Sequence, residues 1–319
     1  MNGEYLYVFD HTHAAIAAER ALLGGGVAAR VMPIPAVIAA GCGIGLRVAE
    51  GQRAQANVLL HAQKIASDVH CIADGFPLYL AKPALSPALG LRPSDALAIV
   101  GCGGKTALLH RLAAELRNKT ALLATTTRIL PPPKSLVDAA NPEHLTAGIN
   151  LLHGGFDGAK LTPPTAERLA ALRPAAGYTL LECDGSKGLP LKGWAAHEPV
   201  IPPWVTATVG VCTTRPVGTA LSAENVHRPA IFCALTGAKP GETITLPHIA
   251  AMISHECGLF GKAVGRRYLL VNQVESDAQA AQAQELASLL PQAFKHTLSG
   301  ILTGSVQQAT VTLLDGEAK

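Results

Sequence analysis

The sequence predicts an α/β protein in two parts: a small N-terminal α+β domain of ferredoxin-like pattern, and a larger domain whose mostly parallel sheet carries helices on both faces. Three observations predict this. Residues 5–75 give the order strand-helix-strand-strand-helix-strand, the split βαβ pattern. Residues 81–95, AKPALSPALGLRPSD, hold three prolines and almost no periodicity, which reads as a linker. From Ala96 onward strands alternate with helices, the signature of a parallel sheet. A chain of 319 residues also fits two domains at roughly 150 residues each. The expected boundaries are 1–78 for the first domain, 79–94 for the linker and 95–319 for the second domain.

Each element has a local cause. YLYVF (5–9) is an aromatic and β-branched strand. Asp10-His11-Thr12 offers a cap for a helix over 14–23, which Gly24-Gly25-Gly26 ends. VAARVMPIP (27–35) and GIGLRV (43–48) are the next strands, followed by an amphipathic helix over 52–65 and the strand VHCIA (69–73). In the second part, ALAIV (96–100) is a buried strand. The helix over 106–116 gathers Leu108, Leu109, Leu112 and Leu116 on one side. Further strands are expected over 120–127, 178–184, 206–212 and 267–274.

Composition excludes several classes. Hydrophobic residues at 49% and charged residues at 15% give ample core material and argue against global disorder. A net charge of +3 and 4% aromatics leave neither a clustered basic face nor stacking platforms, so no nucleic-acid partner is expected. The seven cysteines are scattered with no C-x-x-C pair, which fits reduced thiols in the cytoplasm better than a disulfide framework or a zinc knuckle. Asp10, His11 and Glu19 interrupt the start too early for a secretory leader. The most apolar stretch, about 27–48, carries Arg30, Arg47, prolines and glycines, so no membrane span is expected.

Chemistry concentrates at Gly101-Cys102-Gly103-Gly104-Lys105-Thr106, set between a strand and a helix. Glycines let backbone N–H groups turn inward to form an anion nest, and the helix N-terminus adds its dipole. The lysine reaches terminal phosphates and the threonine hydroxyl can ligate Mg²⁺. Ile99 replaces the first glycine of the standard phosphate loop, which leaves the shorter form G-x-x-G-K-T. That form resembles the loop of Mur-type amino-acid ligases and folylpolyglutamate synthetase. A P-loop NTPase-like sheet binding ATP or GTP with Mg²⁺ is the expectation. LLECDGSKG (180–188) supplies carboxylates at a neighbouring strand tip: Glu182 and Asp184, two apart, face one side if the strand continues. One would serve the metal with Thr106 while the other orients a nucleophile.

Other candidates are weaker in isolation. Thr126 sits at a strand end, where open α/β sheets meet ligands. Asn272 opens LVNQVES, a degenerate N-K-x-D guanine reader without the lysine and with a longer carboxylate, so ATP and GTP both stay open. His197 and Glu198 in HEPVIPP, and Asn225, His227 and Arg228 in ENVHRP, combine polar groups at turns.

Two resemblances follow from these residues. VGCGGKT, LLATTTRILPPP, LLECDGSKGLPLKGWAAHEPVIP, ENVHRP, LTGAKPGETIT and LLVNQVES occur in the order seen in YqeC proteins, described as selenium-dependent hydroxylase accessory proteins. The resemblance covers about 95–275. It implies that Gly101, Gly103, Gly104, Lys105 and Thr106 bind phosphate and that Asp184, with Glu182, serves the metal. The chain departs from it at Cys102 and Cys183. YVFDHTHAAIAAER, VMPIP and GCGIGLRV in the first domain resemble selenium/sulfur carrier-like domains, which implies that Cys42 is the carrier thiol. Its flanking glycines uncover the sulfur, and Arg47 would favour the thiolate. The implied partners are a molybdenum hydroxylase or its molybdenum cofactor, and a selenium or sulfur donor enzyme. Two rival functions remain: an ATP-dependent ligase, and a non-catalytic nucleotide switch that chaperones an apo-hydroxylase.

Overall fold

The computed structural model describes residues 4–34, 43–73, 76–79, 85–308 and 310–315. It divides into two compact units, Met1–Lys82 and Pro83–Lys319. Cys42 lies outside the described residues.

In the first unit, strand β1 (Glu4–Val8) leads into helix α1 (Thr12–Gly24). Strands β2 (Ala29–Pro33) and β3 (Ile44–Ala49), helix α2 (Arg53–Ala62), and strands β4 (Asp68–Ala73) and β5 (Phe76–Tyr79) follow. The sheet order is β2-β3-β1-β4-β5 with antiparallel neighbours, so β1 and β2 run parallel with β3 between them. Strand β5 extends the sheet beyond β4, the last strand expected from the sequence. Alternation along β1 explains its central place. Tyr5, Tyr7 and Phe9 pack with Ala15, Ala18 and Leu22 of α1 and Ala56 and Leu60 of α2, while Leu6 and Val8 are buried on the opposite face. His11 caps α1 by accepting from the Ala14 N–H at 3.1 Å. Arg47 forms an ion pair with Glu4 of the neighbouring strand.

The second unit opens with the short helix α3 (Leu85–Ala88), inside the proline-rich stretch. Leu85 and Leu89 are fully buried, and the Glu115 carboxylate accepts from the N–H groups of Leu85 and Ser86. The apolar positions of 85–91 thus belong to this unit's packing. Strand β6 (Ala96–Gly101), helix α4 (Lys105–Glu115), and strands β7 (Thr120–Thr125), β8 (Ala139–Ala140) and β9 (Gly148–Leu151) come next. Then follow the hairpin β10 (Gly155–Asp157) and β11 (Lys160–Thr162), helix α5 (Ala166–Leu172), and strands β12 (Tyr178–Glu182), β13 (Leu191–Lys192), β14 (Ala207–Cys212) and β15 (Val226–His227). Helices α6 (Pro229–Thr236) and α7 (Leu246–Ser254), strand β16 (Arg266–Val271), helices α8 (Asp277–Leu289) and α9 (Gln292–Lys295), and strands β17 (Gly300–Ser305) and β18 (Thr310–Asp315) complete it.

The main sheet has the order β18-β17-β16-β14-β6-β12-β7-β9-β8, parallel except for β18. All six residues of β6 are buried. Ala98 and Val100 join the core that includes residues of α6, α7 and α8, while Leu97 and Ile99 are buried on the other face. Both faces are therefore covered, which is what a run without polar alternation requires. The chain moves from β6 to β7 on one side and later to β14 on the other, so the strand order reverses beside β6. Open α/β sheets bind ligands at such a reversal, outside the carboxyl ends of the strands. At the opposite end, Asp95 ties the sheet together: it accepts from the Thr206 hydroxyl at 2.7 Å and pairs with Arg266, whose other nitrogen donates to the Gly90 carbonyl.

Strand β12 stops at Glu182, short of the expected 184; residues 183–186 are irregular and the chain turns at Lys187-Gly188. No helix among the described residues is long and apolar enough to cross a membrane. Leu112, fully buried in α4, sets the packing of this helix on the sheet. Leu112→Ala is expected to destabilise the second unit by about 2–5 kcal/mol, measured as a lower denaturant midpoint for its unfolding transition.

Candidate functional site

The loop between β6 and α4 is shaped by backbone geometry. Gly101, Gly103 and Gly104 all have positive φ, at 104°, 80° and 122°. A side chain at Gly101 would also place its Cβ 2.2 Å from the Val211 carbonyl oxygen, and one at Gly104 would meet the Asn272 amide at 2.3 Å. Glycine is required at both positions. Gly104 is the N-cap of α4 and supplies no side-chain cap. The N–H groups of Gly103, Gly104, Lys105 and Thr106 have no acceptor among the described residues. Four consecutive donors at a helix N-terminus form an anion site.

Behind this nest lies a buried charge network. The Gly101 N–H donates to both oxygens of Asp184 at 3.1 Å. Asp184 also accepts from the Lys192 ammonium at 3.1 Å and the Trp194 indole at 2.7 Å. Lys192 is fully buried and donates further to the Gly185 carbonyl and to Glu198 at 3.0 Å. Arg228 clasps Glu198 with two guanidinium nitrogens, the closer at 2.5 Å. Two short strands make this possible. Pairing of β13 with β15 brings Lys192 beside His227, and the Glu198–Arg228 pair joins HEPVIPP to ENVHRP.

Lys105 is buried and folds back, donating to the Gly101 carbonyl at 2.7 Å, with Asp184 at 3.5 Å and Glu182 at 3.9 Å. Burial alone lowers its pKa, but Asp184 and Glu182 outweigh that and hold it above the ordinary lysine value. Glu182 is pushed up by burial against the opposing pull of Lys105 and the Thr106 hydroxyl, which donates to it at 2.9 Å. Burial raises the Cys102 thiol to about 12, and that of Cys183 higher still, so both are inert apolar fillers.

The nest opens into a cavity of about 940 Å³. Gly103, Gly104, Lys105, Thr106, Thr126, Glu182, Glu198 and His227 line it, and so bring together candidates from five separate stretches of sequence. Asp184, Gly101 and Asn272 do not. Asp184 and Gly101 are joined behind the loop, and Asn272 spends its amide on the Gly103 carbonyl and its oxygen on the Val306 N–H. The expectation of a base reader at 272–275 meets a structural use instead, because Glu275 is committed to Arg215 and Ser305. Thr126 donates to the Val200 carbonyl, Asn225 closes its own turn through Ser222 and Ala220, and His197 is exposed. Lys192 and Trp194 went unnoticed in the sequence. Their signal was a lone lysine in the apolar run LPLKGW, which has to be exposed or paired with an acid.

The chain has relatives. Residues 97–230 match the family model described as "YqeC protein", and residues 4–70 match the one described as Se/S carrier protein-like. The chain is 32% identical over 227 residues to "Uncharacterized protein YqeC" of Escherichia coli (strain K12), covering 66% of this chain and 88% of that protein. No solved structure matches.

The network has a pH signature. Burial raises the Glu198 pKa, but Arg228 and Lys192 dominate and hold it at about 2, against 4.5 when unperturbed. Its folded-state pKa is depressed, so its stabilisation is complete above about pH 4.5 and is lost as pH falls toward about 2. Glu198→Gln is expected to flatten the stability profile in that window, read from unfolding midpoints between pH 2 and 5.

Proposed function

The chain belongs to the YqeC family, and on that premise we propose that it is a nucleotide-dependent accessory factor that delivers selenium or sulfur to a molybdenum hydroxylase or its molybdenum cofactor. The family and the Se/S carrier-like match point to a selenium-related accessory role. The observation that carries the nucleotide half is the row of four unpartnered N–H groups at 103–106, facing a cavity of nucleotide size.

In this reading the terminal phosphates of ATP or GTP lie on the nest at the N-terminus of α4. Lys105 exchanges the Gly101 carbonyl for a phosphate oxygen, and its raised pKa keeps it cationic throughout. The donor set fits Mg²⁺: Thr106 and Glu182 are hydrogen-bonded to each other on the cavity wall. Magnesium is ordinarily held by one or two side chains together with phosphate oxygens and water, a demand that Thr106 and Glu182 would meet. When bound, the ion neutralises developing charge on the phosphate oxygens. Asp184, named from the sequence as a metal residue, takes the positioning role instead. It fixes the Gly101 end of the loop while Glu182 faces the cavity.

Cys42 is the proposed carrier of sulfur or selenium, received from a donor enzyme. Covalent connection to the nucleotide unit raises its effective concentration there. Cys102, Cys183, Cys212, Cys233 and Cys257 are free thiols, in keeping with the reducing cytoplasm in which we place the protein.

The test is co-expression of wild type, Lys105→Met and Cys42→Ser with a selenium-dependent molybdenum hydroxylase. Lys105→Met is expected to weaken nucleotide binding about ten-fold or more and to lower hydroxylase selenium content. Cys42→Ser is expected to keep nucleotide binding but to lose the selenium or sulfur adduct by intact mass. Normal nucleotide binding by Lys105→Met would remove the phosphate-loop assignment, and an unchanged adduct in Cys42→Ser would remove the carrier.

A further inference from the structure

The cavity has a second row of free donors, on the loop that leaves β12. Gly185, Ser186, Lys187 and Gly188 all line it, and none of their N–H groups has an acceptor among the described residues. The Ser186 hydroxyl is nearly buried and equally unpartnered. Lys187 has φ at +53° and Gly188 at +77°, so a lysine side chain is kept at a position where left-handed backbone favours glycine. A charge retained at a conformational cost is a functional signal.

The surrounding charges point the same way. Lys187 and Lys160 line the cavity and have no acidic partner among the described residues. Arg128 also lines it and pairs with an exposed aspartate, Asp157. Facing them is His227, whose pKa is lowered by burial and then by Arg228, Lys192 and Lys187, against the weaker opposing pull of Glu198. Lys105 and Lys192 are neutralised within the buried network, whereas Lys187 and Lys160 are not. A volume of about 940 Å³ lies at the upper end of the usual range for small-molecule pockets, about 300–1,000 Å³.

Building on the nucleotide reading of the 103–106 nest, we infer that the same cavity holds a second ligand, a tetrahedral phosphate-class oxyanion, on the 185–188 loop with Lys187, Lys160 and the Ser186 hydroxyl. The site is then a two-anion chamber. One helix N-terminus holds the nucleotide's phosphates, and the loop after β12 holds a phosphorylated co-substrate or free phosphate. Consecutive backbone N–H groups with a flanking lysine suit such an oxyanion, because each oxygen accepts a charge-assisted hydrogen bond.

The experiment titrates inorganic phosphate into the full chain by calorimetry, with and without a saturating non-hydrolysable analogue of whichever nucleotide it binds. A phosphate monoester, glycerol 3-phosphate, forms a second arm. The variants are Lys187→Gly, which removes the charge and suits the left-handed backbone, and Lys160→Ala. Phosphate is expected to bind the nucleotide-saturated protein, with Lys187→Gly weakening it about ten-fold or more and leaving nucleotide affinity unchanged. Tighter binding of the monoester would identify a phosphorylated co-substrate, and tighter binding of phosphate would identify the free ion. Competition between phosphate and nucleotide, or an equal loss of nucleotide affinity in Lys187→Gly, would overturn the second site. If wild type bound no nucleotide yet bound phosphate in a Lys187-dependent way, the nucleotide reading would fall and the oxyanion loop would stand.

Discussion

Asp184 accepts from the Gly101 N–H, the Lys192 ammonium and the Trp194 indole, and so ties together the end of β6, the start of the loop after β12 and the stretch at β13. The carboxylate is buried beside Lys105, so each of these contacts acts in a medium that screens little. Removing one partner from such a group leaves an uncompensated buried charge, at a cost of about 3–5 kcal/mol. The Gly101 turn, the 185–188 loop and β13 are thereby held in one arrangement. The nest at 103–106 depends on it, because the end of the 101–106 loop nearest the sheet is anchored through Gly101.

The network extends the constraint outward. Lys192 connects Asp184 to Glu198, and Arg228 closes Glu198 from the ENVHRP side. Alternating charges along that path leave the interior close to neutral, while Lys187 and Lys160, with no acidic partner among the described residues, stay on the cavity wall. Neutral behind and positive in front is the arrangement that makes a cavity attract anions without destabilising the fold that forms it. The two halves of the site differ in origin. The nest uses backbone donors that any helix start provides, whereas the Lys187 turn uses a side chain held at a backbone position that disfavours it.

Much of this was legible in the sequence. Continuous apolar runs at ALAIV and YTLLE announced buried parallel strands. The glycines of GCGGKT announced a tight turn, since only glycine fits the positive φ there. Residues 85–91 were harder to read because prolines mask the buried positions of Leu85 and Leu89. Strands β17 and β18 were not anticipated, although GILTGS and TVTLLD carry a strand-like share of β-branched residues. The separate loops HEPVIPP and ENVHRP each looked like ordinary turns. The Glu198–Arg228 ion pair, beside the pairing of β13 with β15, makes them one site, and no local pattern encodes a two-residue parallel contact across thirty-five positions. The roles of Glu182 and Asp184 could not be separated by spacing either, because the strand ends between them and sends one carboxylate to the cavity and the other behind the loop.

In the proposed function, the N–H groups of Gly103, Gly104, Lys105 and Thr106 are the phosphate ligands. Amide ¹H–¹⁵N spectra of the isotopically labelled chain, recorded across a titration with nucleotide and Mg²⁺, address this directly. The account predicts that these four amides move together and saturate at the same ligand concentration, with smaller shifts elsewhere in α4. Saturation of nucleotide binding while those four resonances stay in place would contradict it.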